Sequence, residues 1–173
     1  MLPPLTLIIG GAASGKSAYA EAVVSATGRQ RIYLATAEAH DAEMLEKLEL
    51  HRKRRGPDWR TVEAPRDLRP ALKTAAADDV VLLDCATMWL SNHLLAESDL
   101  SQAETALIDA LAACAAPVVV VSNEVGLSVV PDNALARRFQ TAQGRLNQTL
   151  AARADTVVNV IAGLLQILKG RLP

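Results

Sequence analysis

Residues 10–17, Gly-Gly-Ala-Ala-Ser-Gly-Lys-Ser, fit the pattern G-x-x-x-x-G-K-[ST]. The small residues Gly10, Gly11, Ala12, Ala13, Ser14 and Gly15 let the backbone turn inward, so that its N–H groups surround a β-phosphate. The N-terminus of a following helix adds partial positive charge. Lys16 then reaches the β- and γ-phosphates, and Ser17 ligates Mg2+. The other reading is a glycine-rich turn with an exposed lysine. The apolar strand in front of the motif and the helix behind it favour the phosphate loop. Asp84 closes a second apolar run, Val-Val-Leu-Leu-Asp, at the position where a carboxylate holds Mg2+ directly or through water. It is also placed to cap the helix that follows, and the two roles are compatible. Together these residues imply a nucleoside triphosphate and Mg2+ without saying what is done with them. The run Val118–Val121 leads into Ser122-Asn123-Glu124-Val125-Gly126 and not N-K-x-D, so a Ras-like guanine-specificity loop is absent. For Asn123 and Glu124, turn chemistry and a substrate or Mg2+ role stand open side by side.

His51 opens a basic run, His51-Arg52-Lys53-Arg54-Arg55. With Met44 and Leu48 it falls on one face of a helix expected over Asp41–Arg55. Read on that pattern, it is a core histidine satisfied by a carbonyl, and the basic run is a solvated helix end favoured by the helix dipole. The same residues would also serve as a nucleophilic imidazole beside a phosphate-neutralising shell. The pattern alone leaves both readings open.

The elements that must position these groups alternate. Strands are expected at Leu5–Ile9, Arg31–Ala35, Trp59–Glu63, Val80–Leu83, Val118–Val121 and Thr156–Ile161, the last of the buried ones. Helices are expected at Ser17–Ala26, Asp41–Arg55, Leu68–Ala77, Thr87–Glu97, Gln102–Ala113 and Ala134–Arg153. That order means an α/β fold with a largely parallel sheet, whose ligands bind outside the carboxyl ends of the strands. No repeat, linker or boundary interrupts it, so one domain over residues 1–173 is expected.

The chain has 173 residues, half of them hydrophobic, and a net charge of −1. That balance speaks against a nucleic-acid binder, and Tyr19, Tyr33, Trp59, Trp89 and Phe139 are too few for a base-stacking platform. Trp59 and Trp89 read as packing residues. Cys85 and Cys114 stand far apart, and His40, His51 and His93 show no metal-ligand spacing. With no apolar run of membrane-span length and no signal-peptide pattern, a cytoplasmic protein is expected.

The blocks GGAASGKS, YLATAEAHDAEM, LHRKRRGPDWRTVEAP, LLDCATMWLSN, VSNEVGLSVVP and GRLNQTLAARAD, in that order, resemble the bifunctional adenosylcobinamide kinase / adenosylcobinamide-phosphate guanylyltransferase family of cobalamin biosynthesis. The likeness runs from about Leu5 to Gly163. It implies a three-layer, RecA-like P-loop fold with one antiparallel strand, and a homotrimer. It implies two reactions: phosphorylation of the aminopropanol hydroxyl of adenosylcobinamide by ATP or GTP, and transfer of GMP from GTP, through a guanylyl-histidine, to adenosylcobinamide phosphate. On this resemblance Gly10–Ser17 is the phosphate loop and His51 the guanylylated nucleophile. Ala35, Thr36 and Ala37 line the GTP site with Arg52, Lys53, Arg54 and Arg55, while Glu63 and Cys85 are further nucleotide contacts beside Asp84. The chain departs from the family pattern at Ala13, where arginine is common, and at Gln140-Thr141-Ala142, where R-D-x is common. Two rival functions use the same loop: a monofunctional small-molecule kinase, which makes no use of His51, and a nucleotide-switched binding module, which modifies nothing.

Overall fold

The computed structural model describes residues 2–38 and 56–172. The expected Asp41–Arg55 helix, with His40, His51 and the basic run, lies outside the described residues. Among the described residues seven strands form one sheet: β1 Leu5–Gly10, β2 Gln30–Ala35, β3 Trp59–Glu63, β4 Asp79–Asp84, β5 Val118–Asn123, β6 Thr156–Ile161 and β7 Leu164–Lys169, in the order β3-β2-β4-β5-β1-β6-β7. All neighbours pair in parallel except β6 and β7. The described helices are α1 Lys16–Ser25, α2 Arg69–Thr74, α3 Ala86–Leu95, α4 Leu100–Ala113 and α5 Ala134–Arg153.

The central strands are apolar on both faces because both faces are covered. Val118 and Val120 of β5 pack with Val81 and Leu83 of β4, and with Trp89, Leu107 and Leu146 of α3, α4 and α5. Val119 and Val121 point the other way, with Val80, Leu82 and Ile8, onto Ala20 and Val24 of α1. The α/β, three-layer expectation is borne out.

Element ends moved where a side chain competes for the backbone. Asp99 accepts from the N–H groups of Ser101 and Gln102, which starts α4 at Leu100 rather than Gln102. The Asp79 carboxylate takes the Ala76 N–H at 2.8 Å, and Ala75 is already extended, so α2 stops at Thr74 rather than Ala77. Residue patterning did not single out β7, the antiparallel strand that the resemblance implies. All six of its residues are exposed, so it carries no alternation of apolar and polar. A two-residue turn, Ala162 and Gly163 with φ of 51° and 77°, folds it back on β6.

Candidate active site

The phosphate-loop residues leave the carboxyl end of β1 between β5 and β6. Gly10 admits no side chain: a Cβ there would lie 2.5 Å from the Val160 carbonyl oxygen and 2.6 Å from Ser14 Oγ. Gly15 caps α1 with a φ of 96°, a conformation that suits glycine. The β6–β7 turn braces the loop from outside, because Gly163 N–H donates to the Ser14 carbonyl at 2.9 Å. Gly11, Ala12 and Ala13 are exposed at the loop's crest. Lys16 is the first residue of α1 and is buried; its ammonium donates to the Gly11 carbonyl at 3.0 Å. Burial lowers its pKa, against the opposing pull of Cys85 and Asp84. Burial pushes the Cys85 thiol up to about 11, so at neutral pH the charge that favours the ammonium is that of Asp84.

Asp84 ends β4, two strands from β1. Its Oδ2 accepts from Tyr33 OH at 3.2 Å. The N-cap position of α3 belongs to Cys85, with no side-chain cap bond, so the capping alternative for Asp84 is not realised. Its charge acts instead on the phosphate-loop lysine.

Thr36 fixes the neighbouring turn. Fully buried, it donates Oγ1 to the Cys85 carbonyl at 2.7 Å and accepts from the Cys85 N–H at 2.9 Å. Asn92 of α3 donates to the carbonyls of Thr36 at 2.7 Å and Pro65 at 2.9 Å. One hydroxyl thus locks the end of β2 to the end of β4. Replacing Thr36 with Val keeps the shape but strands the Cys85 N–H and leaves the Cys85 carbonyl only the Trp89 N–H, at 3.2 Å. We expect a loss of about 1–3 kcal/mol, a drop in melting temperature of at least about 3 °C. A thermal melt shifted by less than about 1 °C would show the bridge to be dispensable.

The structure brings Gly10–Ser17, Asp84 and Cys85 together, and sets Ala35, Thr36 and Ala37 beside Asp84, since Ala35 pairs with it in register. Glu63 shares that sheet edge, in register with Ala35, but is exposed and four strand spacings from β1, roughly 19 Å. Arg52, Lys53, Arg54 and Arg55 lie with His51 outside the described residues. His93 is elsewhere, packed on Trp89 with ring centroids 4.6 Å apart. Trp89 is buried and donates Nε1–H to the Arg66 carbonyl, while Trp59 meets Tyr33 edge-on at 6.3 Å; both pack, as expected. Sequence reading missed the polar layer beneath β5. Ser122 donates to Asn147 Oδ1 at 2.6 Å, and Gln143 donates to both Ser122 Oγ and Asn147 Oδ1. The signal for it was Gln143 and Asn147, spaced i, i+4 and flanking Leu146 on the inner face of α5.

A parallel strand, a glycine loop, a helix opening on lysine and a carboxylate two strands away define a P-loop nucleoside-triphosphate-binding α/β protein. The RadB recombinase crystal structure shares this fold, with a TM-score of 0.51 at 19% identity over 91% of this chain and 74% of the other. The family described as cobinamide kinase / cobinamide phosphate guanyltransferase matches residues 6–168. Among relatives, the bifunctional adenosylcobalamin biosynthesis protein CobP of Pseudomonas aeruginosa is 42% identical, over 95% of this chain and 96% of its own. CobU of Salmonella typhimurium, of the same description, is 42% identical over 92% of this chain and 97% of its own. The chain belongs to the cobinamide kinase / cobinamide phosphate guanyltransferase family.

Proposed function

We propose that this enzyme phosphorylates adenosylcobinamide with ATP or GTP and then transfers GMP from GTP to the product through a guanylated histidine, giving adenosylcobinamide-GDP. The observation that carries the reading is the pairing of the Gly10–Ser17 loop with Asp84 on one face of the sheet, in a chain of this family. In the first reaction the acceptor hydroxyl oxygen bonds to the γ-phosphorus. The bond to the β–γ bridging oxygen breaks, the nucleoside diphosphate leaves with that electron pair, and the hydroxyl proton is released to water. Lys16 and the loop N–H groups hold the phosphates in line and offset their charge. In the second, a ring nitrogen of His51 bonds to the α-phosphorus and pyrophosphate leaves. A phosphate oxygen of adenosylcobinamide phosphate then displaces the imidazole. The support for His51 is its place in the segment LHRKRRGPDWRT, with Arg52, Lys53, Arg54 and Arg55 as the shell around the α-phosphate. Ala35, Thr36, Ala37, Glu63 and Cys85 would line the nucleotide's path along the sheet edge.

Mg2+ fits the donors present. A hydroxyl and one carboxylate suit an ion that keeps its waters and takes its other oxygens from phosphates, and no cluster of three or more His, Cys, Asp or Glu exists among the described residues. Ser17 and Asp84 would hold it, and when bound it neutralises charge on the transferring phosphate. Asp84→Asn, nearly isosteric, is expected to raise the Mg2+ requirement and to slow both reactions by about 10²-fold while the fold persists. Mg2+ titrations indistinguishable from wild type would remove Asp84 from this role.

We also assign the chain a single domain, a homotrimeric state and a cytoplasmic site of action. Support comes from the single sheet, from the exposed apolar edge of Leu164, Leu165, Ile167 and Leu168, from two free cysteines, and from the absence among the described residues of any helix long and apolar enough to cross a membrane. One assay tests the function against its rivals. The protein is incubated with Mg2+, adenosylcobinamide and GTP labelled at the α- or γ-phosphate. Covalent α-label on the protein and γ-label on the corrinoid are expected. Corrinoid phosphorylation with no protein label would favour a monofunctional kinase. Neither would favour a binding module.

A further inference from the structure

Of the two polar residues after the β5 valines, the geometry points to Asn123, not Glu124, as a catalytic residue: we propose that its carboxamide donates to a γ-phosphate oxygen during phosphoryl transfer. The inference rests on the reading that the Gly10–Ser17 loop holds the kinase donor. β5 lies between β1, which leads into the loop, and β4, which ends at Asp84. Asn123 is in register with Gly10, and Asp84 with Val121, so Asn123 ends its strand between loop and carboxylate. Side chains alternate along a strand. Val119 and Val121 face α1, as do Ile8 of β1 and Val80 and Leu82 of β4. The same alternation carries Asn123 and Asp84 onto the face where Lys16 opens α1.

The backbone of Asn123 is clamped from the opposite face. Its N–H donates to Thr87 Oγ1 of α3 at 2.8 Å, and its carbonyl accepts from Asn147 Nδ2 of α5 at 3.0 Å. The preceding Ser122 is fully buried in the Gln143–Asn147 layer. Against this rigid support the Asn123 carboxamide is half-buried, and it makes no hydrogen bond among the described residues. A carboxamide with a spare donor, carried on a backbone fixed in this way, can meet charge developing on a phosphoryl group without movement of the strand that presents it. Being neutral, it adds no repulsion between Asp84 and the phosphates. Glu124 is differently engaged. Its N–H donates to the Gly10 carbonyl at 3.0 Å, and its carboxylate turns back to accept the Gly126 N–H of its own loop.

The test compares wild type, Asn123→Ala, Asn123→Asp, Glu124→Gln and Lys16→Ala as full-length enzymes. The readouts are kcat and KM for adenosylcobinamide phosphorylation, the Kd of ATP analogue and ADP, and the thermal melt without nucleotide. Asn123→Ala should lower kcat by about 10²-fold, weaken the triphosphate analogue by about tenfold, and change the ADP Kd by less than about threefold, since ADP lacks the γ-phosphate. Asn123→Asp, nearly isosteric but anionic, should be slower still. Glu124→Gln keeps the acceptor for Gly126 and should stay within about threefold of wild-type kcat. An Asn123→Ala enzyme within about threefold of wild type, or one that loses ADP and triphosphate affinity equally alongside a lowered melt, would overturn the assignment. If Lys16→Ala is inactive in that case, only the role of Asn123 falls. If Lys16→Ala also phosphorylates normally, the kinase-site reading falls with it.

Discussion

His51→Asn is expected to separate the two activities: no α-label from GTP on the protein, no adenosylcobinamide-GDP, and phosphorylation of adenosylcobinamide retained. Guanylyl transfer needs a group that attacks the α-phosphorus and later leaves. Imidazole does both near neutral pH, because its ordinary pKa of about 6.5 leaves much of it uncharged. A carboxamide forms no phosphoramidate. The kinase reaction needs position and charge at the γ-phosphate, which on the proposed function come from Gly15, Lys16, Ser17 and Asp84, on elements that do not include residue 51. The wild-type adduct should be labile in acid and stable in base, as a phosphoramidate is and a serine phosphate ester is not. Guanylylation of the Asn variant would move the nucleophile elsewhere, with His40 and His93 next in line. His93 starts at a disadvantage, since its ring is packed on Trp89 with Nε2 3.3 Å from the Arg66 carbonyl.

Lys16→Ala should abolish both reactions, by at least about 10³-fold each. On the proposed function both bind a triphosphate in this loop, and both would lose the one cation that the loop carries. The fold should not pay for the change. Lys16 begins α1, where Ala is a strong helix former, and its buried ammonium is already disfavoured by desolvation. A melting temperature equal to or above wild type, with activity gone, is the expected pair of results. Near-normal phosphorylation by this variant would show that the kinase donor sits elsewhere.

The phosphate loop was legible because its chemistry is local: eight consecutive residues, a strand before and a helix after. The layered α/β fold was legible for a related reason, as runs such as Val118–Val121 are apolar without interruption only when both faces are covered. What was not legible depends on partners far apart in the chain. Thr36 meets Cys85 across 49 positions and Asn92 across 56, so nothing near Thr36 announces that it fastens two strand ends together. Asn123 and Glu124 could not be ranked until register put Asn123 on the sheet face of Asp84 and the hydrogen bonds turned Glu124 into its own loop. The distance between Glu63 and the phosphate loop follows from strand order, which no local pattern encodes. Helix ends slipped at Asp79 and Asp99, where one carboxylate outcompetes the propensity of several residues.

The placement of β1 has a consequence for how the protein is made. Of the described strands β1 is synthesised first, yet its partners are β5, beginning at Val118, and β6, beginning at Thr156. Emerging from the ribosome, Leu5–Gly10 has no neighbour to pair with until Val118–Asn123 has followed it. A strand apolar on both faces must wait through that interval, when it is most exposed to wrong partners. The brace that Gly163 gives the phosphate loop arrives later still. Nucleotide, which needs the finished loop, can stabilise the chain only once β6 and its turn have been made, and a product cut short before β6 would leave β1 without one of its two neighbours.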